Sequence, residues 1–232
     1  MTEVGRKGLL MTRQEAEEIR ENGRNALAKF GLEAPEGLPL CTERTGQKLR
    51  SRIDIAQRLM GLHATVAWTC ASEDLVPSDV LTRYIDDNGL FDMLTDAERD
   101  IVNTDRTGAA EFRDQAGWAT ESMWSLAWIL GFHLQPGFDG VPMTSNVGPA
   151  LNRDFLELFD IDLPRLVAKQ GQRDLIDVMA LEDLFYCSYH AYRVMAESNK
   201  DAQFPLGVVQ ERCHALTWSI TPEVPWDDIT LA

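Results

Sequence analysis

The stretch Trp118 to His133, WATESMWSLAWILGFH, limits this chain's possible folds more than any other. Its second half, with Met123, Trp124, Leu126, Trp128, Ile129, Leu130 and Phe132, is apolar around most of a helical circumference. A helix of that kind has to be enclosed by other elements. Trp118, Trp124 and Trp128 follow one another at spacings of six and four, which reads as the packed centre of a helical domain rather than an aromatic platform. Glu121 is the one charge among them.

The elements available to enclose it are also helical. Thr12 and Glu15 have the spacing of a capping box ahead of a weak apolar stripe that stops at Gly31. Residues from Gly31 to Gly46 hold too much proline and glycine for a regular element and read as a connecting loop. From Lys48 to Cys70, Leu49, Ile53, Ala56, Met60, His63, Ala67 and Cys70 recur in steps of three and four, which predicts a long helix with a broad buried side. Pro77 opens a shorter helix ending at Asn88 and Gly89, and Thr95 with Glu98 forms a second capping box.

After the tryptophan helix, HLQPGFDGVPMTSNVGP has no periodicity, the mark of a surface excursion or a lid over a binding site. Leu151, Phe155, Leu158 and Phe159 space as a short amphipathic helix, and Asp162 caps another that begins at Leu163 and Pro164. Leu175 to Met195 reads as a second core helix, and VVQERCHALTWSI as a last one stopped at Thr221 and Pro222. No strand pair and no fixed repeat is visible. The expected fold is a single all-α domain over residues 1–232, roughly eight to ten helices around the tryptophan helix. Residues 1–47 form its least integrated part.

Composition narrows the function classes. With 37 acidic against 22 basic residues the formal net charge is -15, which opposes nucleic acid and anionic membrane surfaces. The four cysteines are widely spaced and lack a CxxC pair, as expected of free thiols in a reducing compartment. No segment is long and apolar enough for a signal peptide or a bilayer span. A cytoplasmic, soluble, acidic protein is the expectation. Its one basic concentration, Arg44, Lys48, Arg50 and Arg52, reads as a solvated face, with a phosphate or acidic partner as the sharper alternative.

Several segments taken together carry a family resemblance. RSRIDIAQRLMGLHATVAW from Arg50, LTDAERDIV from Leu94, WATESMWSLAWILG from Trp118, LEDLFYCSYHAYRVMAE from Leu181, and VVQERCHALTWSI from Val208 followed by WDD occur in the order of the bacterial domain-of-unknown-function 4272 family, which the chain resembles over most of its length. The chain closes in ITLA, where that pattern carries an acidic residue and a threonine. The resemblance implies a helical, mostly single-domain protein and no particular chemistry.

Charge inside the core helices is the feature that bears on function. Glu121 lies on the tryptophan helix, Asp183, His190 and Arg193 on the second core helix, and Glu211, Arg212 and His214 on the last, with Asp227 and Asp228 in the tail. Asp183 and His190, seven residues apart, share a helical face. Buried charge without a partner costs several kcal/mol, so these residues are expected to pair. In the structural version, Arg193 and Arg212 meet Glu121, Glu211 or the Asp227 and Asp228 tail and tie the C-terminus to the core. In the functional version the same groups line an interior polar pocket under the loop after His133, serving a small molecule or an enzyme.

Glu211 and His214 form a single E-x-x-H step where di-metal bundles need two, so no metal and no cofactor is expected. His63 and His133 read as satisfied structural residues. There is no GxSxG elbow, P-loop or strand-borne GxGxxG, and no catalytic residue is assigned. The expected activity is binding of a basic protein partner, of immunity or inhibitor type, with the interior polar pocket as the alternative. Nothing in the sequence bears on oligomeric state.

Overall fold

In a computed structural model of the chain, residues 10–198 and 205–231 are described. Residues 1–9 and 232, the ends of the domain read from the sequence, lie outside them. The all-α class holds, with no strand among the described residues. α1 (Arg13–Ala28) starts from the Thr12 and Glu15 capping box and stops three residues before Gly31, whose φ of 71° favours glycine. The loop expected after it contains one helical turn, α2 (Cys41–Arg44), closed by Glu43 accepting from the Leu40 amide at 2.9 Å. α3 (Arg52–Cys70) is capped by Ser51, whose hydroxyl accepts from Asp54 N.

α4 (Ser78–Asp87) follows Pro77 and is stopped at Gly89, with φ 60°. α5 (Asp96–Asn103) carries the predicted Thr95 and Glu98 box. A short α6 (Arg106–Ala109) leads through a 3-10 turn into α7 (Arg113–Ile129), the tryptophan helix. Gly131 ends it with φ 110°, and a Cβ there would stand 2.3 Å from the Gln170 carbonyl oxygen, so only glycine fits.

The segment from 147 to 159 corrects the expected amphipathic helix. One turn, α8 (Val147–Pro149), passes into a π-helical stretch over Ala150–Phe155 and a 3-10 turn over Glu157–Phe159. Glu157, Leu158 and Phe159 all have positive φ, at 52°, 49° and 75°. Of the four residues so spaced, Leu151 and Phe155 are buried and Phe159 is partly buried, but the reversal leaves Leu158 60% exposed. Three consecutive non-glycine residues in this region are costly unless the surroundings over-determine them. α9 (Leu163–Val167) uses the Asp162 cap, and the chain completes α10 (Leu175–Ser198) and α11 (Leu206–Ser219) before a last 3-10 turn at Trp226–Asp228.

The five long helices pack in the order α3, α7, α11, α10, α1, each against the next. One hydrophobic cluster runs through them, and a satellite around Trp68, Leu81 and Ile101 lies between α3, α4 and α5. α7 sits between α3 and α11, and from Glu121 to Leu130 every residue on it is buried, as its pattern requires. Trp118 departs from the expectation: it is 49% exposed, while Trp124 and Trp128 are 6% and 5%. It stands on the polar opening of α7, where its ring packs on Gly207 at the start of α11.

Residues 10–47 are not peripheral. Arg20 of α1 and Arg44 of α2 reach two carboxylates of α10 that are completely buried, so the N-terminal region completes the core.

Candidate functional site

Two adjacent residues on α7 meet two adjacent residues on α11. Glu121 and Ser122 face Glu211 and Arg212, and because neighbours on a helix diverge by about 100°, each helix sends one of the pair to either side of the contact. On one side Arg212 Nη2 and Nε donate to Glu121 Oε2 at 2.6 and 2.9 Å. Both residues are sealed, with exposures of 0% and 4%. The guanidinium also donates to the carbonyls of Val141, at 2.8 Å, and Gly137, and lies 4.6 Å from the Trp124 ring centroid. Glu121 Oε1 accepts from the Met143 amide at 2.8 Å. Burial pulls the Arg212 pKa below its ordinary value against the opposing pull of Glu121.

This ion pair therefore straps down the loop after His133. The Trp124 indole N–H donates to Leu134 O (2.8 Å), the Ser188 hydroxyl to Phe138 O (2.8 Å) and the Tyr192 hydroxyl to Asp139 O (2.9 Å). A segment with no periodicity of its own is fixed by side chains from three helices, which donate to its carbonyls, while Glu121 accepts from one of its amides.

On the other side, Ser122 Oγ lies 2.9 Å from Glu211 Oε2 and 3.0 Å from the Glu211 carbonyl. Glu211 has no cation partner among the described residues. Burial raises its pKa, and Glu121 adds to the shift while Ser122 and Arg58 oppose it. It lines a cleft of about 220 Å³ between α3, α5, α7, α11 and the tail. Arg58 of α3 lines the same cleft and donates to both oxygens of Glu98, at 2.7 Å each. Its guanidinium carbon lies 4.1 Å from the Trp226 ring centroid. Asp227 stands at the edge, its pKa raised by burial with Arg58 opposing. Among the described residues the cleft thus holds one cation against the carboxylates of Glu98, Glu211 and Asp227, with the half-exposed Trp118 also in its lining.

A third group is fully internal. Arg20 donates to both oxygens of Asp183 at 2.8 Å and to the carbonyls of Leu38 and Pro39. Arg44 donates to both oxygens of Glu182 and lies 3.6 Å from the Tyr186 ring centroid. Thr217 of α11 donates to Glu182 as well, at 2.8 Å. Burial opposes the charge on Arg44, but Glu182 and Asp183 outweigh it and hold its pKa high. Two cations and two carboxylates cancel here, and the group is structural.

The nine residues singled out from the sequence do not converge on one region. Glu121 and Arg212 form the strap, Glu211 and Asp227 belong to the cleft, and Asp183 lies in the internal group without contact to His190. Arg193 is exposed and rests against the Tyr189 ring, and Asp228 is exposed. The C-terminal tail is tied down by other means than the expected Arg193 or Arg212. His190 hydrogen-bonds the backbone of Leu231 and His214 that of Trp226. Arg50 donates to the carbonyls of Trp218 (2.8 Å), Thr221 (2.9 Å) and Val224. The basic concentration is accordingly no free face: Arg44 and Arg50 point inward, and only Lys48 and Arg52 are exposed.

Sequence reasoning missed Arg20, Arg44, Arg58, Glu98, Ser122 and Glu182 as partners. Arg58 was findable, since it is the one charge within the apolar run from Ile55 to Leu62. Arg20 was too, in register with Ala16, Gly23 and Leu27 on the buried face of α1. Among the described residues no group of three histidine, cysteine or acidic side chains is placed to hold a metal ion, and no helix is long and apolar enough to cross a membrane. The cysteines are unpaired, Cys70 exposed and the other three buried.

A family model described as a domain of unknown function (DUF4272) matches residues 19–229 of this 232-residue chain. Comparison with curated proteins and with solved structures finds no match in either.

Proposed function

The chain belongs to the DUF4272 family, and we propose that it works by binding a basic protein partner whose lysine or arginine side chain enters the cleft at Glu211. The observation that carries this is the half-buried Glu211 carboxylate, which has Ser122 beside it and no ion-pair partner among the described residues, while its neighbour Glu121 is paired with Arg212. A partly buried carboxylate with no ion-pair partner among the described residues is a place where an external cation gains most. Trp118 in the lining offers a half-exposed ring to the aliphatic stem or to the charge itself. The formal charge of -15 favours approach of such a partner at low salt. We place the protein in the cytoplasm, in keeping with its unpaired cysteines.

Cross-linking in the native host, followed by titration of the captured basic protein against the purified full chain, tests the proposal. Binding that falls at least tenfold in Glu211→Gln and in Trp118→Ala, and that weakens steeply with salt, is expected. Affinity unchanged in both variants overturns it. A second reading, a free small amine in the same cleft, is supported by the same acidic and aromatic lining and would appear in native mass spectrometry as added mass that Glu211→Gln abolishes.

A further inference from the structure

A second cavity, of about 280 Å³, opens on different faces of α3 and α7 from those that line the cleft. His63, Val66 and Cys70 of α3 form one wall, Met123 of α7 and Met143 of the strapped loop another, and the segment from Leu151 to Phe159 the third. Among the described residues its lining contains no Asp, Glu, Lys or Arg. The rim is apolar and uncovered, with Leu75 75% and Leu158 60% exposed. The two methionines are adaptable side chains that accept ligands of irregular outline.

Two polar side chains of the lining, His63 and Asn152, each carry a sealed atom without a partner. His63 is 4% exposed, and its Nδ1 makes no hydrogen bond; the same holds for Asn152 Oδ1. The Tyr84 hydroxyl behind them is equally unsatisfied. His63 is held by rings rather than by hydrogen bonds, stacked on Phe159 with centroids 4.0 Å apart and edge-on to Tyr84 at 6.0 Å. The sequence expectation that His63 is a satisfied structural residue is therefore corrected. Buried polar groups in folded proteins are nearly always paired, and each exception needs an explanation. Phe159, the residue that stacks on His63, is the last of the three residues forced to positive φ, so backbone strain is spent on forming this wall.

We propose that this cavity binds a neutral amphiphile, a small apolar molecule carrying one hydroxyl or amide group that hydrogen-bonds the His63 imidazole and the Asn152 amide. An uncharged head follows from the lining, since a carboxylate or ammonium would be buried with no counter-ion. Burial also depresses the His63 pKa to about 3, so the imidazole offers no charge of its own. The Asn152 amide offers donors and an acceptor and the neutral imidazole one of each, which favours a ligand group that both donates and accepts, an alcohol, phenol or primary amide, over an ester or ketone. The apolar body lies along Val66, Met123 and Leu151 with its tail toward the exposed Leu75 and Leu158.

Titration of the full chain with 1-naphthol and with 1-naphthoate, which share a ring system and differ in head-group charge, tests this directly. 1-Naphthol is expected to bind at least tenfold more tightly than 1-naphthoate. Cys70 is the exposed cysteine and lines the cavity, so alkylation with N-ethylmaleimide should weaken 1-naphthol binding at least tenfold without any change of sequence. His63→Phe keeps the ring stack and removes Nδ1, and should weaken binding by a similar factor. Asn152→Leu, at a half-buried position, gives the same readout should His63→Phe fail to fold. Equal affinity for the two probes, or 1-naphthol binding untouched by alkylation, overturns the proposal. Loss of 1-naphthol binding in Glu211→Gln also overturns it, since the probe would then be in the cleft.

Discussion

Glu121 and Glu211 occupy the same interface between α7 and α11, yet they have opposite fates. Glu121 accepts from Nε and Nη2 of Arg212 and from a backbone amide, and is sealed at 4% exposure. Glu211 takes one hydroxyl, from Ser122, and opens on a cleft. The contrast shows how one helix contact separates structure from function: the charge that is neutralised becomes a fastener for a loop, and the charge that is not must face somewhere water or a ligand can reach. The position of Arg212, next in sequence to Glu211 but turned the other way, decides which is which.

The sharpest way to break that contrast is Arg212→Ala. It strands Glu121 in the core and leaves the carbonyls of Gly137 and Val141 without donors, so the expected loss is at the upper end of the roughly 3–5 kcal/mol seen when one member of a buried pair is removed. Urea denaturation with a constant m-value measures it. A loss below about 1 kcal/mol would mean that the strap is not what holds the loop. Next in size is Trp124→Ala, which empties a site that is 94% covered and removes the ring under Arg212; roughly 3–4 kcal/mol is expected from cavity formation. Trp118→Ala, at a half-exposed position, should cost less than about 1 kcal/mol by the same measurement. Comparable losses in the two variants would place Trp118 in the core after all and remove it from the cleft.

The sequence made the fold's helices and caps legible and left the pairings obscure, for a physical reason. Helix boundaries rest on local chemistry: the Thr12 with Glu15 box, the Thr95 with Glu98 box, the Asp162 cap and the glycine stops at 89 and 131 act within a few residues, and each appears where its pattern puts it. Which arginine meets which carboxylate depends on the order in which helices pack, and no short-range signal carries that. Glu121 was visible as a misplaced charge, and Arg212 was one of its named candidate partners, but Arg20 with Asp183 joins residues 163 apart in sequence. The segment from 150 to 159 escapes a sequence reading because its apolar spacing is helical while its backbone turns through π and left-handed conformations, with Phe159 set against His63 and Tyr84. The unsatisfied Nδ1 of His63 has no sequence signature whatever.

The smallest expected effect on stability is the most telling about Glu211. Its pKa is raised in the folded state, first by burial and then by Glu121, so the fold prefers the carboxyl neutral. An acid of this kind binds its proton more tightly when folded than when unfolded, and stability must therefore fall as pH rises from the ordinary carboxylate range through the raised value, then level off. Glu211→Gln removes that term while keeping the shape and the capacity to meet Ser122. The variant should match the wild type at low pH and become the more stable of the two as pH rises, by about 1 kcal/mol or less for a carboxyl still in reach of solvent. A Glu121→Gln variant should show the opposite sense, losing stability at neutral pH because Arg212 is left without its counter-charge. Thermal unfolding of both variants across pH 4 to 8 separates the cases. Destabilisation by Glu211→Gln at neutral pH would show that its charge is already used within the fold, and the two glutamates would then differ in exposure but not in role.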